Sequence, residues 1–270
     1  MNFKRILTSL IGFPLVILLV ALGTAPIINF AIMIVALICM HEYIGVVSKV
    51  CTPIKWVMYL STTIIFLMTI VSENMLKHIL LFFIPISLLI LFLHIILSDM
   101  KITFKDVAYS FLGIAYVTGF IFFVGLIIIQ KNGKLAFGYT IMTAWATDVF
   151  AYTAGKLIGK HHFSKVSPKK TIEGCIVGAI GAIIVGFIYA LIANKVGVIS
   201  IKGIQYLFAI IIPLILSIIS QIGDFAASSI KRFADAKDYG NMLPGHGGML
   251  DRIDSVIFIA PFVYMIMLFM

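Results

Sequence analysis

Runs of about twenty consecutive apolar residues recur along the whole chain and restrict its fold more than any other feature. The hydrocarbon core of a bilayer is about 30 Å thick, so a helix rising about 1.5 Å per residue crosses it in about twenty residues. A composition that is 62% hydrophobic, with a mean hydropathy of +1.16, excludes an ordinary soluble core. The sequence therefore predicts an all-α integral membrane protein, a polytopic bundle of about nine transmembrane helices. The predicted spans are residues 6–23, 27–47, 56–72, 78–97, 107–129, 138–158, 174–194, 204–226 and 253–269.

The distribution of basic residues predicts the orientation of these spans, because Lys and Arg concentrate in short cytoplasmic loops. A cytoplasmic N-terminus places most of the 20 Lys and Arg residues inside the cell. The exceptions are Lys77, Lys131, Lys134, Lys195 and Lys202. The two richest polar loops, 159–174 and 232–252, then share the cytoplasmic face, where the net charge of +9 suits anionic lipid headgroups. Residues 1–23 also resemble a signal peptide, but the following spans need this segment as the first anchor.

The first half of the chain carries little chemical information. We predict that residues 1–135 form a membrane-spanning scaffold and that residues 136–270 form the catalytic membrane region. Within the scaffold, Glu42 lies beside His41 near the cytoplasmic end of the second span. A carboxylate in lipid is costly and is therefore a candidate functional group, although a snorkelling interfacial pair is the alternative. The chain has three cysteines whose spacing indicates neither a metal site nor a disulfide, at Cys39, Cys51 and Cys175.

Charged residues concentrate between positions 223 and 254, although only 11% of the chain is charged. We predict that residues 213–236 continue as one long helix that reaches into the cytoplasmic active-site region. At helical spacing, one polar stripe of this helix carries Asp224, Ser228, Lys231 and Asp235. A solvated loop between membrane helices is the alternative for scattered charges, but an ordered stripe favours a site.

A glycine-rich run follows this helix at residues 244–248. We predict that the helix breaks around Gly240, and that backbone N–H groups of the run line a concavity that holds phosphate oxygens. Asp251 and Asp254 come next, three residues apart and so on one face of a new helix, with Arg252 adjacent.

The sixth span carries an acid well inside its apolar stretch. The spacing places Asp148, Tyr152 and Gly155 on one face of the helix. Because Asp148 lies more than a turn inside the span, it must face protein, water or a metal. Pairing with a lysine for packing alone is the alternative.

The loop after the sixth span contains paired lysines. Lys169 and Lys170 follow a Ser-Pro turn and suit a polyphosphate, although such a pair also satisfies the positive-inside rule. Thr171 is placed to cap the next helix, and Glu173 falls in its first turn.

Taken together, these motifs resemble the signature of the phosphatidate cytidylyltransferases, also called CDP-diacylglycerol synthases. The matching segments are Ser228-x-Ile-Lys231-Arg232, Lys237-Asp238, Leu243-Pro244-Gly245-His246-Gly247-Gly248 and Asp251-Arg252-x-Asp254. Two more elements are similar to those of the family, Asp-x-x-Ala-Tyr-x-x-Gly beginning at Asp148 and Ser-Pro-Lys-Lys-Thr-x-Glu-Gly beginning at Ser167. Ala227 departs from the pattern, because many family members have Glu just before the serine.

The resemblance implies that the phosphate of phosphatidic acid attacks the α-phosphorus of CTP, giving CDP-diacylglycerol and pyrophosphate. An attacking group that is already an anion needs no general base, so the protein must supply positive charge and positioning. Mg²⁺ supplies both, and a second metal ion is left open. The expected metal ligands are Asp224 and Asp251, with Asp254 or Asp148 as further support.

The resemblance also implies which residues act in catalysis and which bind the substrates. The catalytic set comprises Asp224, Asp251, Lys231, Arg232 and His246, the last as a phosphate hydrogen-bond donor. The expected substrate-binding residues are Lys169, Lys170, Ser228, Lys237, Asp238, Gly247, Gly248 and Arg252. The implied partners are CTP, phosphatidic acid and the lipid bilayer of the cell membrane, without nucleic acid, and a homodimer is left open.

Two other functions compete with this interpretation. One is a related enzyme that uses CTP on a membrane lipid, such as a polyprenol kinase or an archaeal-lipid cytidylyltransferase. The other is a transporter in which Asp148, Asp224 and the lysines line a path. Charges near the bilayer midplane and discontinuous helices favour a transporter, whereas these charges cluster at one predicted membrane face.

Overall fold

The structure is a computed structural model that describes residues 14, 16–71, 76–164, 166–242 and 247–269. Regular structure in these ranges is helical, apart from an isolated β-bridge between His162 and Thr171. The helices are α1 (Ala25–Val47), α2 (Lys55–Val71), α3 (Leu76–Leu97), α4 (Phe104–Gly113), α5 (Phe120–Ile129), α6 (Gly133–Ile158), α7 (Ile172–Lys195), α8 (Gln205–Phe233) and α9 (Leu250–Phe269). A π-helical segment, Ile114–Gly119, joins α4 to α5. The predicted all-α class is confirmed.

Five stretches of the described chain are helical, long and apolar enough to cross a bilayer. They are Ala25–Val47, Phe104–Ile129, Ile172–Lys195, Gln205–Phe233 and Leu250–Phe269. Shorter apolar helices occupy Lys55–Thr69 and Phe82–Leu97. Each predicted span from residue 27 onward overlaps a helix. Half of the span at 6–23 lies outside the described residues, and within its described half residues 16–22 are helical. The chain is thus a helical membrane protein, and the count of nine spans and their orientation stay predictions.

The chain divides into two compact units. The first unit comprises Met1–Ile129 and Ile230–Ile253, and the second comprises Gln130–Ser229 and Asp254–Met270. The helices α8 and α9 each contribute residues to both units. The predicted division into a scaffold at 1–135 and a catalytic region at 136–270 concerns function and stays a prediction.

The first unit has an apolar core with a few buried polar links. Tyr43, Phe66 and Phe122 are fully buried there. The Tyr43 hydroxyl donates to the Tyr109 carbonyl oxygen at 2.9 Å, which ties α1 to α4. At the start of α4, the buried Asp106 carboxylate accepts the backbone N–H of Thr103 at 2.8 Å. This bond completes a capping box, which satisfies amides that the helix itself cannot pair.

In the second unit, small residues let α7 approach α6 closely. A Cβ atom added at Gly178 would lie 2.8 Å from the Thr147 carbonyl oxygen and 2.9 Å from the Ala151 Cβ. The small residues Gly174, Gly178 and Gly181 of α7 therefore face α6, as such stripes face neighbouring helices in membrane proteins. The α7 N-terminus is capped as predicted, because the Thr171 hydroxyl accepts the Gly174 N–H at 3.1 Å.

The opposite side of α7 is apolar and exposed. Isoleucines recur there every four residues and are each about half exposed, at Ile176, Ile180, Ile184 and Ile188. A continuous exposed apolar stripe is unfavourable in water and suits contact with lipid tails. This stripe agrees with the assignment of α7 as a membrane span.

The long helix ends earlier than the sequence predicts. The prediction extended it to residue 236 and placed its break around Gly240, but α8 stops at Phe233. The Ala236 N–H donates to the Lys231 carbonyl oxygen at 2.8 Å, and the Asp235 N–H donates to the Arg232 carbonyl oxygen at 3.2 Å. Asp235 adopts a left-handed conformation with φ of 47°. These bonds form a Schellman cap, so Asp235 does not continue the polar stripe.

Candidate active site

In the second unit, the lysine loop meets the carboxylate of α8. The Lys170 ammonium forms an ion pair with Asp224 Oδ2 and lies 4.6 Å from the centroid of the Phe225 ring. Phe163 stacks on Phe225 with ring centroids 4.8 Å apart. The aromatic pair therefore holds the loop against α8 at the position where Lys170 reaches Asp224.

Asp224 retains capacity to bind a further group. Its side chain is 26% exposed, and among the described residues its Oδ1 atom accepts one long hydrogen bond, of 3.4 Å, from the Ser228 hydroxyl. A carboxylate oxygen has two lone pairs, so Oδ1 can still accept a short bond. The carboxylate is thus paired with Lys170 at Oδ2 and can accept another group at Oδ1.

The first unit contains a second carboxylate and lysine pair, which is more deeply buried. Lys231 Nζ donates to Asp251 Oδ1 at 2.6 Å, and the two side chains are 10% and 3% exposed. Asp251 Oδ2 accepts the backbone N–H groups of Tyr239 at 2.8 Å and of Gly248 at 3.0 Å. The Lys231 ammonium also lies 5.2 Å from the Tyr239 ring centroid. Asp251 therefore joins the end of α8, the following loop and the glycine-rich run.

The described end of the glycine-rich run, Gly247 and Gly248, lies close to carboxylates. Gly247 has a φ of +85°, a left-handed conformation that side chains other than Gly rarely adopt. The next three amides are already engaged, because Gly248 donates to Asp251 while Met249 and Leu250 donate to Glu42. Of the run that we expected to hold phosphate oxygens, the Gly248 amide therefore serves a carboxylate of the protein itself.

Glu42 is a buried acid whose role the sequence left open. It is 6% exposed, and its two oxygens accept the N–H groups of Met249 at 2.9 Å and of Leu250 at 2.8 Å. They belong to the residue just before α9 and to its first residue, and such amides have no partner within the helix. A buried carboxylate that accepts two hydrogen bonds within the protein does not extend towards the membrane surface, so the snorkelling alternative does not apply. The only signal in the sequence was the cost of placing an acid in an apolar span.

The remaining predicted residues fall into two groups. Ser228 is buried in α8, and Asp254 is buried in the first turns of α9. Arg232 is exposed and donates to the Ala236 carbonyl oxygen at 3.2 Å. The other exposed predicted residues are Lys169, Lys237, Asp238 and Arg252. The predicted catalytic residue His246 lies outside the described residues.

The predicted metal ligands do not form a ready-made cage. Among the residues that the structure describes, no three His, Cys, Asp or Glu side chains are grouped so that they could hold a metal ion. Asp148 lies within α6, and its neighbour one turn on, Tyr152, is 70% exposed. Within the described part of the chain, the predicted ligands are therefore separate carboxylates and not a group of three or more.

Comparison with known proteins places these residues in a family. A sequence model of the cytidylyltransferase family matches residues 3–270. A phosphatidate cytidylyltransferase of Bacillus subtilis (strain 168) is 35% identical over 183 residues, which cover 67% of this chain and 65% of that protein. A protein of the same name from Staphylococcus haemolyticus (strain JCSC1435) is 35% identical over 181 residues, or 66% of each chain.

A third relative, a phosphatidate cytidylyltransferase of Staphylococcus aureus (strain COL), is 37% identical over 177 residues, or 64% of each chain. The matched region therefore spans just under two thirds of the length of these relatives. The family match, by contrast, extends over nearly all of the sequence, from residue 3 to residue 270. On that match, the chain belongs to the cytidylyltransferase family.

Proposed function

We propose that this chain is a membrane enzyme that transfers the cytidylyl group of CTP to phosphatidic acid, giving CDP-diacylglycerol and pyrophosphate. Relatives that are 35% to 37% identical carry the name of that activity. The observation that supports it most is the presence of two carboxylate and lysine pairs, Lys170 with Asp224 and Lys231 with Asp251, within the motifs typical of the family.

The reaction needs positive charge rather than a base. A phosphate oxygen of phosphatidic acid forms a bond to the α-phosphorus of CTP. The bond from that phosphorus to the oxygen bridging the β-phosphorus breaks, and its electron pair leaves with pyrophosphate. The nucleophile is an anion at neutral pH, so the barrier comes from joining two anions and from charge on the leaving group.

The two lysines suit different tasks. Lys170 is 22% exposed and sits on an open carboxylate, so it can turn from Asp224 to a phosphate of CTP. Lys231 is 10% exposed and is enclosed by Asp251 and the Tyr239 ring, so its main effect is to hold Asp251 in place. In the protein without substrate, each ammonium offsets a carboxylate, which keeps the site from carrying unpaired buried charge.

The carboxylates fit a magnesium ion unequally. Mg²⁺ is usually bound by one or two carboxylates together with substrate phosphates and water. Asp224 fits, since its Oδ1 atom keeps free lone pairs once Lys170 is on Oδ2. Asp251 has three of its roughly four acceptor positions in use, which leaves one for a metal. We retain Asp254 and Asp148 as supporting ligands. When bound, Mg²⁺ would neutralise phosphate charge.

We place the reaction at the cytoplasmic face of the cell membrane. The water-soluble nucleotide and the lipid must both reach the site, which requires a position at the membrane rim. Lys169, Lys237 and Arg252 are exposed cations that can contact a triphosphate there, and Arg232 lies at the end of α8. This placement depends on the positive-inside prediction.

The test is an assay of the purified full chain in vesicles that contain phosphatidic acid, with Mg²⁺ and CTP carrying separate labels on cytidine and on the γ-phosphate. We expect the cytidine label in the lipid extract and the γ-label in released pyrophosphate. Transfer of the γ-label to an added polyprenol, without cytidine in the lipid, would instead identify a kinase. Label that enters the vesicle lumen without a lipid product would identify a transporter. The Asp224→Asn variant serves as the inactive control.

A further inference from the structure

A carboxylate from α1, near the start of the chain, holds the N-terminus of the last helix. We propose that Glu42 is a positioning residue of the active site, which fixes the backbone from Gly248 to Leu250 and thereby the orientation of Asp251. This inference rests on the proposed function, because it assigns Glu42 to the site that would perform that reaction. It also makes α1 part of the catalytic apparatus rather than of a passive scaffold.

The hydrogen bonds of Glu42 define one position for the backbone that precedes Asp251. Each carboxylate oxygen takes one amide, Oε1 from Met249 at 2.9 Å and Oε2 from Leu250 at 2.8 Å. Bonds to both oxygens fix the rotation of the carboxylate as well as its distance from the helix. The negative charge also lies at the positive end of the α9 dipole.

Two glycines show that the fit around this carboxylate is close. A Cβ atom at Gly240 would lie 2.8 Å from Glu42 Oε1, and one at Gly248 would lie 2.6 Å from Oε2. Both distances are shorter than side-chain carbons tolerate, so larger residues at these positions would displace the carboxylate. The backbone at Gly240 and at Gly248 thus packs directly against Glu42.

Asp251 and Glu42 accept hydrogen bonds from consecutive amides of one short stretch of chain. Asp251 Oδ2 binds the amide of Gly248, and Glu42 binds the amides of the two residues between Gly248 and Asp251. A shift of Met249 or Leu250 therefore moves both ends of the Gly248 to Asp251 bond. Through this bond, Glu42 controls where the Asp251 carboxylate points.

The chain offers a matched control for a purely structural role. Asp106 is also a buried acid of the first unit, 5% exposed, and it accepts two backbone amides, from Thr52 at 2.5 Å and from Thr103 at 2.8 Å. It caps α4 and has no contact with the glycine-rich run in the described bonds. Asp106→Asn should therefore weaken the fold without altering the site.

The experiment compares Glu42→Gln with Asp106→Asn in the full-length protein in vesicles. Gln can accept one amide but presents N–H groups to the other. We expect kcat to fall by about tenfold or more, because small misplacements of reacting groups are costly. The Mg²⁺ concentration for half-maximal rate should rise about threefold or more, while KM for CTP changes less. Asp106→Asn should lower thermal stability to a similar extent and leave the Mg²⁺ requirement unchanged.

Hydrogen exchange gives a readout that does not depend on activity. Exchange at the amides of Met249 and Leu250 should be about tenfold faster in Glu42→Gln and unchanged in Asp106→Asn. Glu42→Asp, which keeps the charge but is one methylene shorter, should lie between wild type and Glu42→Gln in both exchange and kcat. If Glu42→Gln does not fold, the same measurements are made on Gly240→Ala, because the added methyl group crowds the carboxylate while Glu42 itself is kept.

The outcomes separate this inference from the proposed function. An active wild type, together with an unchanged kcat, Mg²⁺ requirement and amide exchange in folded Glu42→Gln, would overturn the positioning role. Equal effects of Glu42→Gln and Asp106→Asn on the Mg²⁺ requirement would also overturn it. A wild type that forms no liponucleotide would refute the proposed function. Amide exchange at Met249 and Leu250 would then still show whether Glu42 fixes this backbone.

Discussion

Asp224 and Asp251 are both paired with lysine, but their burial differs enough that the same substitution should have different consequences. The Asp224 side chain is 26% exposed, whereas that of Asp251 is 3% exposed and also accepts two backbone amides. Removing one partner of a buried pair leaves an uncompensated charge, which costs more than losing a surface pair. Asp224 can therefore be tested for chemistry alone, whereas Asp251 cannot.

We predict that Asp224→Asn reduces turnover by about 100-fold or more with little change in thermal stability, because it removes a proposed metal ligand. Asp251→Asn should reduce turnover equally and also lower the free energy of unfolding by about 3 kcal/mol, since Lys231 stays buried without its anion. Both quantities are measured on purified protein, by the cytidylyl-transfer assay and by denaturant unfolding in detergent. Near-normal turnover in Asp224→Asn would refute the ligand assignment.

Adding Lys231→Met to Asp251→Asn is the control, since it removes the unpaired ammonium. Stability should then recover in part while turnover stays low. Recovery of turnover would mean that Asp251 acts only by neutralising Lys231.

At the scale of helices, the contact between α6 and α7 depends on residues that lack bulk. The Gly178 Cα packs against the α6 backbone, where an added Cβ would meet the Thr147 carbonyl oxygen. The α7 N-terminus supports the lysine loop through the Thr171 cap. The packing of these two helices therefore sets the base from which Lys170 reaches Asp224.

We predict that Gly178→Ala destabilises the protein by about 1 to 3 kcal/mol, because the new methyl group overpacks the helix contact. Gly45→Ala in α1 is the matched control, since an added Cβ there has no atom within 4 Å. That substitution should be neutral or stabilise by up to about 1 kcal/mol, as Ala favours helix. Unfolding of both variants in mixed detergent micelles measures the difference. Equal stabilities would show that α6 and α7 have room to separate.

Helix positions were predictable because a hydrophobic run near twenty residues long has few alternatives to a helix. Every predicted span from residue 27 onward overlaps a helix of the structure. The end of α8 was wrong by about three residues, because Asp235 takes a left-handed position that is usually occupied by Gly. An aspartate at position 235 does not indicate in the sequence that the helix ends.

For the whole molecule, the orientation of the spans remains a prediction with a direct test. We expect Lys131→Cys to react with a membrane-impermeant thiol reagent in intact cells, and Lys101→Cys to react only after permeabilisation. Both positions are exposed, so access depends on the side of the membrane. The background must first lack the native Cys39, Cys51 and Cys175. Labelling of both variants from outside would contradict the nine-span topology.

The sequence by itself determined the helical membrane class and the chemical character of the site. Both depend on local properties, the length of apolar runs and the spacing of charged residues, which a chain displays without folding. The tertiary structure decided which charges meet. It paired Lys170 with Asp224 and Lys231 with Asp251, and it brought Glu42 to the amides of Met249 and Leu250. Contacts between residues about 200 positions apart depend on how helices pack, which no local pattern encodes.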